Sequence, residues 1–423
     1  CVAMVYSFNK KEGILIYWNP LKILGAIKKM KESLFNYRFE YENQKYIFNT
    51  NNNGLIQINN DIFTEEEREY LRVNRFWVDD NEDEIALLER EINHNIQKRQ
   101  KELELTIALT NYCNFSCVYC YQNKNEKLMT TEVANMIIEK IDRILNDNIF
   151  EGINIHYFGG EPLLNIPVLI YLDENIKKIT AKIGIVYKAF LTTNGSMLSK
   201  ELLQKVKFSS IQLTFDGLEK THDRLRVSDH FHFKEEIELI ENIMNFSQAK
   251  VLLRTNICKE NKDEIIALHK YIFEKFGNER IEINPNRTIK YHQDDSFEML
   301  SVQEYAEVAY QIKLLWSEQK GKFELPVPRS TPCKFPYGNA YAISPEGYCT
   351  FCSGSMDQEK KYFFDVDIEN KKMFSVRKEC KKCNILPLCL GGCIIQYNLR
   401  AGACTYEKYE LKNILISYIK HIS

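Results

Sequence analysis

Apolar and polar positions follow different periods in different parts of the chain. The segments Tyr37–Tyr41 and Lys45–Asn49 alternate apolar with polar side chains, as neighbouring strands of a half-buried sheet do. The run Asn51–Gly54 is typical of a turn, and a short strand is predicted after it over Leu55–Ile58. The start of the chain is therefore predicted to contain a small sheet.

Two helices are predicted after this sheet. Thr64–Glu67 has the pattern of a capping box, which begins a helix that ends near Arg75. The second helix begins near Asp83 and ends in the charged connector Gln97–Lys101. Its apolar face is formed by Ile85, Leu88, Ile92 and Ile96. Residues 1–102 are thus expected to form an α+β domain with a linker helix at its end.

From about residue 103 the pattern changes to repeated strand–helix units. The predicted strands are Leu105–Leu109, Ile153–Phe158, Val186–Thr192, Ser210–Phe215, Lys250–Asn256 and Arg280–Asn284. Helical patterns follow them, for example over Thr131–Leu145, Phe233–Phe246 and Val302–Trp316. Such units imply a parallel sheet, closed or partly closed as a barrel, whose site lies at the C-terminal ends of the strands. The predicted fold class is α/β, with a partial TIM-like barrel of six units over residues 103–320.

The last part of the chain differs again. Residues 321–406 contain eight cysteines, many turn residues and only short regular elements. A helix from Glu407 to about Ile419 closes the chain. We expect a cysteine-rich, loop-rich domain over residues 321–406, followed by a C-terminal helix over residues 407–423.

Composition excludes several classes of protein. The formal net charge is -2, and the chain lacks blocks of Lys and Arg, so nucleic acid is not expected as the main partner. No apolar run approaches the roughly eighteen residues of a membrane span. The N-terminal run Cys1–Tyr6 is too short for a signal-peptide core. The thirteen cysteines cluster at metal-ligand spacings, which favours a reducing cytoplasm over a secreted disulfide protein.

Three cysteines, Cys113, Cys117 and Cys120, have the spacing C-x3-C-x2-C just after the first predicted barrel strand. Three thiolates on one tight loop can hold three irons of a cubane cluster and leave the fourth iron open. A zinc knuckle and three structural cysteines are the alternatives. Zinc sites usually have four ligands in paired C-x2-C form, and neither a His nor a fourth Cys lies nearby in the sequence.

This motif resembles that of the radical SAM family, in which the open iron binds the amino and carboxylate groups of S-adenosylmethionine. Phe158–Pro162 contains Gly159, Gly160 and Glu161 and resembles the family's Gly-Gly-Glu segment, which contacts the methionyl amine. The resemblance covers about residues 103–405. It implies that Cys113, Cys117 and Cys120 are the catalytic ligands of a 4Fe-4S cluster. A low-potential donor, flavodoxin or ferredoxin, would reduce that cluster so that a 5′-deoxyadenosyl radical forms.

The same resemblance implies further S-adenosylmethionine contacts near other strand ends. Asn194 and Thr214 match positions that contact the ribose or the carboxylate, and Arg226 is expected to pair with the carboxylate. Tyr119 resembles the aromatic residue that packs on adenine. The alternative is that Asn194 and Asp216 only shape turns.

A second set of cysteines lies near the C-terminus, and its middle C-x2-C pair alone could be half of a zinc ribbon. Together with the first motif, the set resembles the SPASM extension of radical SAM enzymes, which holds two auxiliary 4Fe-4S clusters. The implied ligands of the distal cluster are Cys380, Cys383, Cys389 and Cys404. Those of the proximal cluster are Cys333, Cys352 and Cys393, with Cys349 as the substitute for a fourth cysteine that relatives carry before Cys333. If Cys349 does not reach, an open iron is left that could bind a substrate thiolate.

SPASM enzymes act mainly on peptides and proteins. The resemblance therefore implies an oxidoreductase that matures a ribosomally made precursor peptide by forming a thioether or carbon–carbon cross-link. The alternative is an anaerobic sulfatase-maturase-like enzyme that oxidises a Cys or Ser to formylglycine. Those enzymes carry an Asp after the cysteine that matches Cys352, whereas this chain has Ser353. A non-enzymatic iron–sulfur electron carrier would not need the Gly-Gly-Glu segment.

The N-terminal region bears on the same question. Its strands and helices loosely resemble the small winged-helix module that binds a precursor's leader peptide as an added strand. A plain cap on the barrel is the other interpretation. The sequence leaves both open.

Overall fold

The computed structural model describes residues 29–58, 63–99, 101–147, 150–277, 279–291, 296–350, 352–355, 361–366, 373–393 and 404–422. The predicted features at Cys1–Tyr6 lie outside these residues. Within them, no helix is long and apolar enough to cross a bilayer.

The N-terminal part contains a three-stranded antiparallel sheet, as its alternating pattern predicts. Its elements are β1 (Met30–Glu32), β2 (Asn36–Tyr41), β3 (Gln44–Asn49), β4 (Gly54–Ile58), α1 (Glu65–Val73), β5 (Trp77–Asp79) and α2 (Glu84–Arg99). The sheet has the order β2-β3-β4, and β1 pairs separately with β5. The predicted capping box is confirmed, because Thr64 accepts from the amide of Glu67 and the Glu67 side chain accepts from the amide of Thr64.

The centre of the protein is a parallel sheet whose six strands follow chain order. They are β6 (Glu102–Ala108), β7 (Gly152–Phe158), β8 (Val186–Thr192), β9 (Phe208–Thr214), β10 (Lys250–Ile257) and β11 (Ile281–Arg287). Alternate side chains such as Leu105, Ile155 and Leu213 are buried in the main hydrophobic core. The predicted α/β class with a partial barrel is thus confirmed.

Helices connect these strands and cover the outer face of the sheet. They are α3 (Thr131–Asp147), α4 (Ile166–Ile183), α5 (Lys200–Lys205), α6 (Glu219–Leu225), α7 (Phe233–Phe246), α8 (Ile265–Phe276) and α9 (Val302–Lys320). Helix α9 begins at a capping box of Ser301 with Glu304 and ends at Gly321, whose φ is +59°. This cover leaves the C-terminal strand ends and their loops for a site.

The cysteine-rich part joins the barrel sheet, which the sequence pattern did not predict. Its elements are α10 (Lys334–Tyr337), β12 (Ala340–Ile343), β13 (Tyr348–Thr350), β14 (Lys361–Tyr362), α11 (Leu386–Cys389) and, after it, α12 (Glu407–Ile422). Strand β12 pairs in parallel with β6, and β13 and β14 continue the sheet in antiparallel fashion. The second set of cysteines therefore begins beside the strand that leads into the Cys113 loop.

A second core links the beginning and end of the chain. Phe48 of β3, Leu388 of α11 and Leu415 of α12 are buried in one hydrophobic cluster. Residues from three of the predicted domains thus share a core. The predicted domain limits at residues 102, 320 and 406, and the winged-helix comparison, stay predictions.

Candidate active site

The loop that carries Cys113, Cys117 and Cys120 leaves the C-terminal end of β6 and is held by the end of β7. The amide of Gly160 donates to the carbonyl of Thr110 at 2.8 Å, and the amide of Glu161 donates to the carbonyl of Tyr112 at 2.9 Å. A Cβ atom at Gly160 would lie 2.1 Å from the oxygen of Tyr112. At Gly159, where φ is +142°, it would lie 2.4 Å from the oxygen of Thr110. The sequence predicted that Gly159 and Gly160 let a ligand approach closely. In the structure, their missing side chains make room for the backbone of the cysteine loop.

Glu161 ties the end of β7 to the end of β8. Its carboxylate is fully buried and accepts hydrogen bonds from the Thr193 hydroxyl at 2.7 Å and the Asn194 amide at 2.7 Å. It also accepts from the amide of Leu163 at 3.0 Å. Burial raises the pKa of Glu161, and these donors oppose that shift because they stabilise the charged form. In this structure Glu161 acts on the site by fixing Asn194.

Asn194 lies directly beside the cysteine loop. Its Nδ2 is 3.9 Å from the Sγ atom of Cys113 and donates to Oδ1 of Asn114 at 2.8 Å. Its Oδ1 accepts from the amide and the hydroxyl of Ser196. The side chain therefore does more than shape a turn, since it connects the end of β8 to the first cysteine of the motif.

Arg226 lies on another side of the same loop. The amides of Ser116 and Val118 donate to the carbonyls of Val227 and Leu225, at 2.7 and 3.0 Å. These two bonds set Cys117 opposite Arg226. The guanidinium lies 5.3 Å from the centroid of the Phe115 ring, and its Nη2 donates to Oε1 of Glu236 at 3.1 Å.

Glu236 was missed at the sequence level. It is fully buried on α7, beside the core residues Phe233, Ile237 and Ile240. Its position on the apolar face of an amphipathic helix could have identified Glu236 from the sequence. A carboxylate at such a position needs a charged or hydrogen-bonded partner.

Tyr119 and Asp216 form a polar contact across the site. The Tyr119 hydroxyl donates to Oδ2 of Asp216, and Oδ1 of Asp216 accepts from the amide of Asn256 at 2.6 Å. Asn261, which sequence reasoning missed, donates to the carbonyls of Asp216 and Asn256. The Tyr119 ring packs beside a buried cluster that includes Cys258. Thr214, the last residue of β9, is buried next to this network.

The three thiols of the loop need positive charge nearby to ionise. Burial raises the pKa of Cys113, and it raises the pKa of Cys117 to about 12, so a thiolate here needs a compensating positive charge such as iron. Cys113, Cys117 and Cys120 interact electrostatically with one another. In a cubane cluster each thiolate binds its own iron, so three thiols on one loop could hold three of its irons.

The C-terminal cysteines fall into two groups. Burial raises the pKa of Cys352, and the neighbouring thiols of Cys333 and Cys393 raise it further. The second group comprises Cys380, Cys383, Cys389 and Cys404, which are linked in the same way through their electrostatic effects. All the cysteines that the structure describes are free thiols.

The structure does not bring Cys349 to the group of Cys333, Cys352 and Cys393. Cys349 is only 8% exposed and packs in the main core near Phe363. Burial raises its pKa to about 12, and the charged group that acts on it is Lys361 rather than another thiol. Cys349 lies in the short strand β13, where both it and Thr350 are buried. Sequence spacing from Cys352 could not reveal this.

Two tyrosines connect the two sets of cysteines. Tyr121 follows Cys120 directly, and the centroid of its ring lies 4.9 Å from that of Tyr291. The Tyr121 hydroxyl donates to the carbonyl of Ser353 at 3.3 Å. A Cβ atom at Gly354 would lie 3.6 Å both from the Tyr291 hydroxyl and from Sγ of Cys352. The Cys113 loop and the Cys352 loop therefore face each other beside an aromatic wall.

Comparison with known proteins agrees with this geometry. Residues 107–272 match the Radical SAM superfamily. The radical SAM cyclopropyl synthase TigE of Paramaledivibacter caminithermalis is 23% identical over 372 residues, which cover 77% of this chain and 76% of that protein. The matches to a protein of Methanocaldococcus jannaschii and to a GTP 3′,8-cyclase of Helicobacter pylori span 39% and 53% of those proteins.

Solved structures share the fold. The structure of anSMEcpe with bound AdoMet and Cp18Cys peptide has a TM-score of 0.61 and 18% identity, covering 76% of this chain and 100% of that one. Streptococcus suis SuiB bound to the precursor peptide SuiA has a TM-score of 0.53 and 14% identity, covering 90% of this chain and 98% of that one. The cysteine loop on β6, its Gly-Gly-Glu support on β7 and the matched segment together identify residues 107–272 as a domain of the radical SAM superfamily.

Proposed function

We propose that the chain is a radical SAM peptide maturase that carries two auxiliary clusters and forms a cross-link within a ribosomally made precursor peptide. One observation carries the proposal: the Cys113 loop and the Cys352 group face each other beside Tyr121 and Tyr291. A peptide held between them would lie within reach of both sites. The SuiB and anSMEcpe structures, which hold peptides, share this fold and support a peptide substrate.

The chain's own residues have distinct roles in this proposal. Cys113, Cys117 and Cys120 hold the cluster that, with S-adenosylmethionine bound, supplies a 5′-deoxyadenosyl radical able to abstract hydrogen. Asn194 and Arg226 lie on either side of the loop, where they would orient the amino-acid end of the cofactor. Glu161 fixes Asn194, and Tyr119 with Asp216 closes the side near β9 and β10. A low-potential donor such as flavodoxin or ferredoxin supplies the electron.

The proximal cysteine group has three thiols rather than four, and this favours a thioether product. Cys349 is buried in the core, so Cys333, Cys352 and Cys393 would leave one iron of the proximal cluster without a protein thiolate. Such a position suits a substrate cysteine, because thiolates are the usual ligands of cluster iron. The Cys380 group would hold the distal cluster.

The N-terminal sheet would bind the leader. Strands β2 and β4 are its two edges, and an extended leader could pair with either one by main-chain hydrogen bonds. The sheet packs through Phe48 on Leu388 and Leu415, which fixes it to the cysteine-rich part. A leader bound there would be held in a constant relation to the auxiliary clusters.

The alternative is a maturase that oxidises a protein Cys or Ser to an aldehyde. Ser353 argues against it, since a hydroxyl is too weak a base to replace the Asp expected after Cys352. The carbonyl of Ser353 is moreover used by Tyr121.

Co-expression with small peptides encoded beside the gene, followed by high-resolution mass spectrometry, tests the proposal. Loss of two hydrogens with one thiol no longer alkylatable would establish a thioether, whereas the same loss with every thiol free would indicate a carbon–carbon link. The Cys113→Ala variant is the matched control and should leave the peptide unchanged. An unmodified peptide, with S-adenosylmethionine still cleaved and a protein aldehyde formed, would favour the alternative.

A further inference from the structure

Arg226 is a buried cation beside a cluster ligand. Its side chain is only 6% exposed, and Glu236, its ion-pair partner, is fully buried. Within the described residues, Nε of Arg226 has no hydrogen-bond partner, and Oε2 of Glu236 lies 3.4 Å from Nε2 of His222. Burial of an incompletely satisfied ion pair opposes folding, so the pair is not explained by stability.

The backbone sets Arg226 opposite Cys117. The bonds from Ser116 to Val227 and from Val118 to Leu225 hold the loop against the end of α6, and Cys117 and Arg226 are the residues enclosed between them. Phe115, whose ring lies under the guanidinium, donates its amide to Sγ of Cys113 at 3.4 Å.

A fixed cation at this place has a definite electrochemical consequence. Reduction adds one negative charge to a cluster, and a nearby positive charge in a poorly solvated region stabilises the reduced form more than the oxidised form. Local charge and hydrogen bonding are among the factors that set the potentials of iron–sulfur clusters. Arg226 would act through Cys117, so its effect does not require bound S-adenosylmethionine.

We propose that Arg226 is a positioning residue whose charge, held opposite Cys117, raises the midpoint potential of the cluster bound by Cys113, Cys117 and Cys120. This role rests on the proposed function and is separate from any contact with the cofactor. It makes the cluster easier to reduce before S-adenosylmethionine binds.

The test is an anaerobic redox titration of the reconstituted full chain without S-adenosylmethionine. The signal followed is the electron paramagnetic resonance of the reduced cluster that disappears in Cys113→Ala. Arg226→Gln should lower the midpoint potential, whereas Arg226→Lys should keep it near that of the parent protein. Lys234→Gln is the matched control, because it removes a cation that is 71% exposed and paired with Glu219. Its potential should not change.

A double variant keeps the test decisive if an unpaired Glu236 prevents folding. Arg226→Gln with Glu236→Gln removes both buried charges. Because Arg226 rather than Glu236 lies against the cysteine loop, we expect its potential to be lowered too, but by less than in Arg226→Gln. Unchanged potentials in both neutral variants, with iron content intact, would overturn the inference. If Arg226→Gln and the double variant lose iron while Arg226→Lys retains it, the positive charge is required at this position. Loss of iron from all three folded variants would refute a role of the charge. Absence of the signal from the parent protein would refute the proposed function instead.

Discussion

The rings of Tyr121 and Tyr291 contact each other with their centroids 4.9 Å apart, and this contact joins the loop of Cys120 to the neighbourhood of Cys352. The two tyrosines are 170 positions apart in the numbering, yet they lie between the two sets of cysteines. In the proposed function, a substrate placed between the sets would pass along their faces. The pair is therefore a wall of the proposed reaction chamber.

Tyr291→Leu should uncouple radical formation from peptide modification. Without the ring, the substrate loses a surface that orients it, and small misplacements of a reacting carbon cost roughly tenfold or more in rate. We expect about a tenfold decrease in modified peptide per 5′-deoxyadenosine formed. Tyr291→Phe keeps the ring and serves as the control. Equal coupling in the Leu and Phe variants would show that the wall has no such role.

Gly160→Ala should displace the cysteine loop. A Cβ atom there would lie 2.1 Å from the Tyr112 oxygen, which is backbone and cannot move without moving the loop. We expect most of the iron of the first cluster to be lost, as measured by iron content per chain and by S-adenosylmethionine cleavage. Gly184→Ala is a useful comparison, because that site has a φ of +83° but open space around it. It should cost only about 1–2 kcal/mol of backbone strain and retain the iron. Full iron content in Gly160→Ala would contradict this account of the glycine.

Sequence periodicity was sufficient for the barrel because its strands are long buried runs separated by amphipathic helices. Val186–Thr192 and Phe233–Phe246 begin and end where the pattern predicts. Strand β12 was not predicted, because a run as short as Ala340–Ile343 has no distinctive period. Its pairing with β6 depends on the tertiary fold.

The candidate site likewise has one part that the local sequence predicts and another that depends on the fold. The spacing of Cys113, Cys117 and Cys120 and the Gly159–Glu161 segment could be found from local sequence, since their chemistry depends on residues close in the chain. Cys349 was predicted as a substitute ligand from its distance to Cys352, but its place in β13 decides where its thiol lies. The contact of Tyr121 with Tyr291 likewise depends on the fold.

Acidification should destabilise the protein through His269. Burial lowers the pKa of His269 to about 3, from an ordinary value of 6.5, and its ring accepts from Trp316 Nε1 at 3.1 Å. The unfolded chain therefore binds a proton between pH 6.5 and 3 that the folded chain does not. The contribution of neutral His269 is fully present above pH 6.5 and is lost as pH falls, by about 1.4 kcal/mol for each pH unit.

Urea unfolding under anaerobic conditions at pH 7.5, 6.5 and 5.5 measures this slope. The His269→Gln variant should lose less stability than the parent between pH 6.5 and 5.5, by about 1 kcal/mol, because the unfolded histidine is already half protonated at pH 6.5. His94→Gln, which changes an exposed histidine, should retain the parent slope. Equal slopes in the parent and His269→Gln would mean that His269 is not the buried neutral group inferred from the structure.

Cys349→Ala and Cys352→Ala should differ in iron content, although the two residues are three positions apart. The Cys349 thiol is buried near Phe363, so its removal should cost about 1 kcal/mol of core packing and leave iron content and the visible spectrum unaltered. Cys352 neighbours Cys333 and Cys393, so its removal should release iron equivalent to about one 4Fe-4S cluster. Iron analysis and absorption spectra of anaerobically purified variants decide the matter. Loss of iron from Cys349→Ala would restore Cys349 as the fourth ligand, and it would remove the open iron from the proposed mechanism.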